Sequence, residues 1–428
     1  MTAGQAPLRE TARQGSDAQG FGGQDFGGQD LDAQGFDWAI APMTPDTFMA
    51  EYFERRHLVI HRDDPAYYGG LLSLRDIDDV LCTQVLPVAE LQLVNQSQPV
   101  DEEDYSLASG HVDPVRATQA FQAGATMILP ALHRRLPRLA AFCRALEGVF
   151  NCDLQTNIYL TPADAQGFRT HYDSHDVLVL QCHGTKTWRI YDSALKLPLL
   201  TQAFEPQGYE PGALIDEFVL QPGDMAYIPR GVAHDAIATD QVSLHVTTGL
   251  LTHRWVDLLI EVLGAEARRN LALRHALPPG YVGDADARAA MAGLARDLLR
   301  QVADQADTGA LVETFADAFR RRLQPVVPGH FGQALAADGL EQGDRLGVRP
   351  GLIWALRREA GEDGKGVQVV LQVHDGELGF PAAVEPSLRA ALGSPAFAIG
   401  GLPGGLDAKG QLVLARRLLR EGVLRRLD

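Results

Sequence analysis

The chain has 428 residues, enough for two to three domains at roughly 100–200 residues each. Apolar residues make up 46% and charged residues 22%, as in ordinary globular proteins, and 38 Lys and Arg against 55 Asp and Glu leave a net charge of −17. That charge is repelled by phosphate backbones and disfavours a general nucleic-acid coat protein, while the lack of any run of 18 apolar residues predicts no transmembrane helix.

Residues 1–36 are of low complexity, with Phe-Gly-Gly-Gln-Asp at 21–25 and again at 26–30. They offer few apolar side chains to offset the entropy of ordering, so a disordered tail is expected, with no basic start and apolar stretch of a secretory leader. Folded sequence is expected from 37. Thr44 before Pro45 predicts a helix start, followed by Phe48, Tyr52 and Phe53 at helical spacing. Leu58 to His61 reads as a strand. Leu132, Leu136, Leu139, Phe142, Leu146 and Phe150 recur every three to four residues, which predicts a helix over 129–150.

From about 154 to 250 the texture changes to short apolar runs broken by turn signals, among them 158–160, 177–180, 188–191, 217–220, 225–228 and 243–250. Strands spaced in this way predict a sandwich or barrel. At 252 the period returns to helix: Trp255, Leu258, Leu259, Val262 and Leu263 form one stripe, and a second helical stretch through Leu294, Leu298, Leu299 and Val302 is expected to run to Leu323. Pro325, Pro328 and Gly329 mark a linker. The segment 345–428 reads as a small α+β unit, with strands at 351–356 and 366–373, a Gly-rich turn at 375–379 and helices near 385–392 and 408–422. The four cysteines, Cys82, Cys143, Cys152 and Cys182, lack a CxxC spacing, which fits a reducing cytoplasm rather than a disulfide scaffold or zinc ribbon.

The chemistry-bearing pattern is His171-Tyr172-Asp173 with His234. In a strand, residues i and i+2 share a face, so His171 and Asp173 can hold one metal together. His234 follows 61 positions after Asp173, just past Pro229-Arg230-Gly231, where a neighbouring antiparallel strand can bring it to the same ion. Two imidazoles and a carboxylate on one face make the facial triad of non-haem Fe(II) oxygenases, with coordination positions left open. The His-x-Asp spacing alone says little, because it also occurs at His61-Arg62-Asp63 and His111-Val112-Asp113. The first of these also mimics a kinase catalytic loop, but Tyr68 stands where that loop needs Asn. Only the third pair leads into a long apolar strand, a Gly turn, a further strand and a later histidine.

The stretches NIYLTPADAQGFRTHYDSHDVLVLQCHGTKTWRIYD (157–192) and QPGDMAYIPRGVAHDAIATDQVSLHVTTGL (221–250) resemble the Jumonji-C ribosomal oxygenases of the cupin superfamily. That group includes nucleolar histidine hydroxylases and a bacterial arginine hydroxylase. The resemblance extends to 43–74 near the start and to RPGLIWALRR and LARRLLREGVL near the end, and covers roughly 37–428.

The resemblance implies an α+β architecture: a double-stranded β-helix (the cupin or JmjC jelly roll) at 37–251, a helical dimerisation region at 252–327 and a winged-helix unit at 345–428. It implies Fe(II) held by His171, Asp173 and His234, with 2-oxoglutarate and O2 at the open positions. Lys186 matches the family's cation for the far carboxylate of 2-oxoglutarate, and Asn157, Tyr159 and Thr247 fall where the family places hydrogen-bonding groups. His245 shares strand parity with Thr247, so both can face the barrel interior, His245 either as a packed core histidine or with a role in catalysis. The implied activity is hydroxylation of a side chain of a ribosomal protein or other polypeptide, histidine before arginine because the cosubstrate cation is Lys. Two other readings stay open: the same chemistry on a peptide natural-product precursor or small metabolite, and a non-catalytic metal-binding regulator using its winged helix on DNA. The last helix carries a local charge of only +3 from five Arg, Glu421 and Asp428, so nucleic acid is an improbable partner.

Overall fold

The computed structural model describes residues 35–427 apart from 96, 166–167, 194 and 362–365. The tail expected to be disordered lies almost wholly outside the described residues. Its boundary shifts, because Phe36 already opens helix α1 (Phe36–Ile40) and is 2% exposed in the core. Helix α2 (Pro45–Glu51) starts as its capping residue predicts: the Thr44 hydroxyl accepts the Thr47 amide at 3.3 Å. Strand β1 (Leu58–Ile60), helix α3 (Leu74–Thr83), the short strands β2 (Gln92–Asn95) and β3 (Gln98–Pro99) and helices α4 (Glu102–Tyr105) and α5 (Pro114–Gln122) follow.

The helix expected over 129–150 begins later. Strand β4 (Thr126–Pro130) and a short 3-10 turn precede α6 (Pro137–Phe150), which starts where Pro137 can occupy the first helical position. Then come β5 (Asp153–Thr161), β6 (Asp176–His183), β7 (Lys186–Tyr191), β8 (Leu214–Leu220), β9 (Met225–Ile228), β10 (Ala233–Ala238) and β11 (Ser243–Leu251). They build an eight-stranded sheet, β1-β9-β6-β11-β5-β4-β2-β3, and a three-stranded one, β10-β7-β8. Every pairing in both is antiparallel.

The β6 sequence explains how the sheets stack. Leu178 and Leu180 pack into the large core with Phe48, Phe142 and Tyr227, under the N-terminal helices. Val177 and Val179 point the other way and pack against Trp188, Ile190 and Leu220 of the small sheet. Both faces of β6 are buried, which is why its sequence runs apolar without alternation. This two-sheet layout is the cupin-like one expected for the strand-rich part of the chain. Its open end, between the sheets, is where the His-x-Asp segment enters β6.

Beyond β11 the chain is helical: α7 (Trp255–Arg269), α8 (Ala285–Gln305) and α9 (Thr308–Arg322). The helical stretch expected to reach Leu323 consists of α8 and α9, divided between Gln305 and Thr308, where the Asp307 carboxylate caps α9 at the Ala310 amide, 3.0 Å away. The final unit has its own core. It contains α10 (His330–Leu335), β12 (Arg345–Val348), β13 (Trp354–Ala360), β14 (Val367–Val373), β15 (Gly376–Pro381), α11 (Glu385–Gly393), β16 (Phe397–Ala398), α12 (Ala408–Arg420) and β17 (Leu424–Arg426). The strand expected at 351–356 runs three residues later, since Gly351 takes a φ of +68° that ends regular extension. The expected turn at 375–379 is instead strand β15, paired with β14 around His374 and Asp375. No described helix is long and apolar enough to cross a membrane.

Candidate metal centre

His171 and His234 meet through their backbones. The His171 amide donates to the His234 carbonyl at 3.0 Å, and the His234 amide donates back at 2.8 Å. This antiparallel bridge brings the segment before β6 onto β10. The Gly231 amide then holds the Asp173 carbonyl at 2.8 Å. The His-x-Asp segment was expected inside a strand. His171 instead sits in an isolated bridge, and Tyr172 and Asp173 belong to no strand. A one-residue bridge is enough, because the face is set by His234 rather than by a continuous ladder.

One ligand atom from each of His171, Asp173 and His234 lies within 4.8 Å of the others. His234 Nε2 is 3.7 Å from Asp173 Oδ2. Both imidazoles are aimed by their other nitrogen: His171 Nδ1 lies 2.9 Å from the Arg169 carbonyl and His234 Nδ1 lies 3.0 Å from the Val232 carbonyl. A carbonyl only accepts, so Nδ1 carries the proton and the Nε2 lone pair is free to ligate. Burial, and then the charge of His171, push the His234 pKa down to about 4, which keeps it in its neutral ligating form. Two oriented imidazoles and one carboxylate fit a divalent iron with open positions.

The cluster opens into a cavity of about 160 Å³ between the sheets. Register sets its walls. On β5 and β11, Asn157 pairs with Thr247, and Tyr159 pairs with His245. The Tyr159 and His245 rings stack at 4.9 Å and 3°. Lys186, the first residue of β7, closes the deep end at 4% exposure, its Nζ 3.2 Å from Thr161 Oγ1. No carboxylate reaches this ammonium among the described residues, and burial pushes its pKa down to about 7. Among the described residues, five buried polar atoms of the wall have no hydrogen-bond partner: Thr126 Oγ1, Asn157 Oδ1, His175 Nδ1, Trp188 Nε1 and His245 Nδ1. Such atoms are costly to leave unpaired, and together they describe a pocket built for a polar ligand. All seven residues expected at the site, and His245, line this one cavity.

The other two His-x-Asp pairs are structural. His61 Nδ1 contacts Asp224 Oδ2 at 2.8 Å, and Asp113 caps α5 at the Val115 amide, 3.0 Å away. Several site residues carried no sequence signal that singled them out. Phe168 and Phe204 flank His171, with ring centroids 5.9 and 6.1 Å away, and Tyr172 and Tyr209 pack around Phe204. They come from irregular segments whose positions depend on the sheets beneath. His175 was readable, since it continues the alternation 171, 173, 175 into β6.

A JmjC domain family model matches residues 131–258. Ribosomal oxygenase 1 of Rattus norvegicus is 33% identical over 257 residues, 58% of this chain and 42% of that protein. The bifunctional lysine-specific demethylase and histidyl-hydroxylase NO66 of Culex quinquefasciatus is 32% identical over 253 residues, 57% of this chain and 39% of its own length. The chain thus spans about two fifths of the length of these curated relatives. The crystal structure of E. coli ycfD is similar over 90% of this chain and 98% of its own, at 15% identity and a TM-score of 0.51, which is likeness of fold.

Proposed function

We propose that this chain, which matches a JmjC domain model over residues 131–258 and resembles ribosomal oxygenases, is an oxygenase that hydroxylates a side chain of a ribosomal protein or other polypeptide, histidine first. The observation that carries the reading is the shared cavity of the His171, Asp173 and His234 cluster and the buried, acid-free Lys186.

JmjC domains use Fe(II), 2-oxoglutarate and O2: a bound iron would activate O2, the oxidant, whose one oxygen atom enters succinate as 2-oxoglutarate loses CO2 and whose other enters the hydroxylated C–H bond. His171, Asp173 and His234 would hold the metal. Lys186, with Thr161 beside it, would receive a carboxylate of 2-oxoglutarate. Asn157 and Thr247 would offer it hydrogen bonds, and Tyr159 and His245 would wall it in. Trp188 and the burial of the deep end exclude water from the reacting centre.

Substrate preference is argued from charge. Among the described lining residues Asp173 is the sole carboxylate, and Lys186 shares the cavity. A guanidinium would enter without a counter-charge, at a desolvation cost a neutral imidazole avoids. The aromatic rim of Phe168, Phe204 and Tyr172 suits a planar ring. A chain charge of −17 steers basic targets such as ribosomal proteins.

The helical region is proposed as a homodimer interface, because Trp255 is 81% exposed in the single chain and Leu259 and Ile260 are 61% exposed. The last unit is proposed as a winged helix with no DNA role. Its arginines are engaged internally: Arg416 with the Leu340 carbonyl, Arg417 with Gly379, Arg420 with Asp338 and Arg426 with Asp344.

The test is turnover of 2-oxoglutarate to succinate with Fe(II), ascorbate and O2, with and without a cell extract stripped of small molecules. Extract-stimulated succinate that His171→Ala abolishes, with a +16 Da shift on a polypeptide, is expected. No turnover with iron bound would overturn the reading.

A further inference from the structure

Within the cavity the strand register defines successive levels. Nearest Lys186 lies the Tyr159–His245 pair, then Asn157–Thr247, and outermost Gln155–Gly249, with Val177 of β6 beside Gly249. Gly249 and His245 are four strand residues apart, roughly 13 Å. A dicarboxylate held by Lys186 therefore meets the inner levels first, and the Gln155–Gly249 level lies farthest from that ammonium.

That outer level is built. His175 follows Asp173 by two residues and lies on the Gly249 backbone. A Cβ at Gly249 would stand 2.8 Å from His175 Cε1 and 2.9 Å from its Nδ1, so only glycine admits the ring there. His175 Nδ1 is buried and has no hydrogen-bond partner among the described residues. Gln155, the register partner of Gly249, lines the same stretch of wall with both a donor and an acceptor.

We propose that His175, seated on Gly249 beside Gln155, forms a recognition subsite for the residue to be hydroxylated, taking a neutral hydrogen-bonding side chain. The inference rests on the oxygenase reading above and adds to it the residues that select the substrate. An imidazole nitrogen and a carboxamide recognise neutral polar groups by directed hydrogen bonds, whereas neither supplies the negative charge that a guanidinium or ammonium needs.

The test uses the full chain with acid-extracted ribosomal proteins of the source cell as probe. Succinate release and +16 Da occupancy are followed, and the 2-oxoglutarate Kd is measured separately. His175→Phe keeps a flat ring over Gly249 and removes both nitrogens. His175→Asn places an amide where Nδ1 stood. The Phe variant is expected to raise the apparent KM for the probe about tenfold, as loss of a hydrogen bond to a neutral partner does, and to leave the 2-oxoglutarate Kd within about twofold. The Asn variant is expected to stay within about threefold of wild type in KM. Gly249→Ala should displace the imidazole and raise KM in the same way, yet add nothing on top of His175→Phe.

An unchanged KM in His175→Phe would overturn the subsite and leave the oxygenase reading standing. An equal rise in the 2-oxoglutarate Kd would also overturn it, placing His175 against the cosubstrate. Fully additive effects of Gly249→Ala and His175→Phe would break the coupling. Wild-type protein that releases no succinate would defeat the oxygenase reading itself. Succinate release with no hydroxylated ribosomal residue would remove the ribosomal target, and with it the subsite as tested with this probe.

Discussion

Arg230 and Asp176 form a buried ion pair, Nη1 to Oδ2 at 2.7 Å, that ties the loop before His234 to the segment after Asp173. Asp176 is fully buried and also accepts the Tyr227 hydroxyl at 2.7 Å, while the same Arg230 nitrogen meets Glu54 at 2.6 Å. The pair spans the two stretches of chain that carry the candidate metal ligands. Arg230→Met would strand the Asp176 charge, and the expected loss is about 3–5 kcal/mol in chemical denaturation. Adding Asp176→Asn should recover part of that loss, because the stranded charge is gone. A double variant no better than the single one would show that Asp176 is not the group Arg230 neutralises.

His171→Ala and Asp173→Ala are expected to abolish turnover while the chain stays folded. Neither residue belongs to the main apolar cores, which lie under the N-terminal helices and in the last unit. Co(II) affinity should fall at least tenfold in each, and the melting temperature without metal should move by only a few degrees. Wild-type succinate release in either variant would remove that residue from the site.

Lys186 supplies a pH signature. Its buried ammonium has a pKa of about 7, far below that of an exposed lysine. Between about pH 7 and 10 the unfolded chain holds a proton the folded chain lacks, so this residue makes stability rise with pH through that window. Below pH 7 the buried charge is present at full cost, and an anionic ligand relieves it. The 2-oxoglutarate Kd is therefore expected to be flat below pH 7 and to weaken above it, toward tenfold per unit. Thr126, Thr161, Tyr159 and His245 face this end, and none brings a negative charge. Lys186→Ala should raise the 2-oxoglutarate Kd far more than the metal Kd and flatten the pH profile; equal effects on both would contradict its role.

Gly184 turns β6 into β7 with a φ of +60°, and a Cβ there would fall 1.9 Å from the Val242 carbonyl oxygen. Backbone cannot move aside as a side-chain tip can. Gly184→Ala is expected to cost about 2 kcal/mol or more and, by shifting the start of β7, to weaken 2-oxoglutarate binding through Lys186. Wild-type stability and affinity would show that the turn is looser than its contacts imply.

Leu259→Asp with Ile260→Asp should convert a dimer into a monomer in analytical ultracentrifugation without loss of helix by circular dichroism. A wild-type protein that sediments as a monomer would exclude the helical region as an interface.

Much of the site was legible because its signals are local. The Thr44 cap, the period change near 252 and the apolar run at 177–180 each depend on neighbours within a few residues. The candidate ligands His171, Asp173 and His234, with Lys186, could be named from spacing together with family likeness. The 129–150 stretch misled because a strand, a 3-10 turn and a helix in series keep apolar residues at intervals close to those of one helix.

By itself the sequence determined where strands and helices alternate, which residues could bind metal, and that three His-x-Asp pairs compete. Only the tertiary structure decided among them. His171 is bridged to His234 across the fold, His61 is spent on Asp224, and Asp113 caps a helix. It also decided that Lys186 has no acidic partner among the described residues and that His175 rests on Gly249, 74 residues further along the chain. These facts come from pairing between distant strands. Such contacts follow from which faces must be buried against each other, a condition on the whole chain that short-range spacing does not contain.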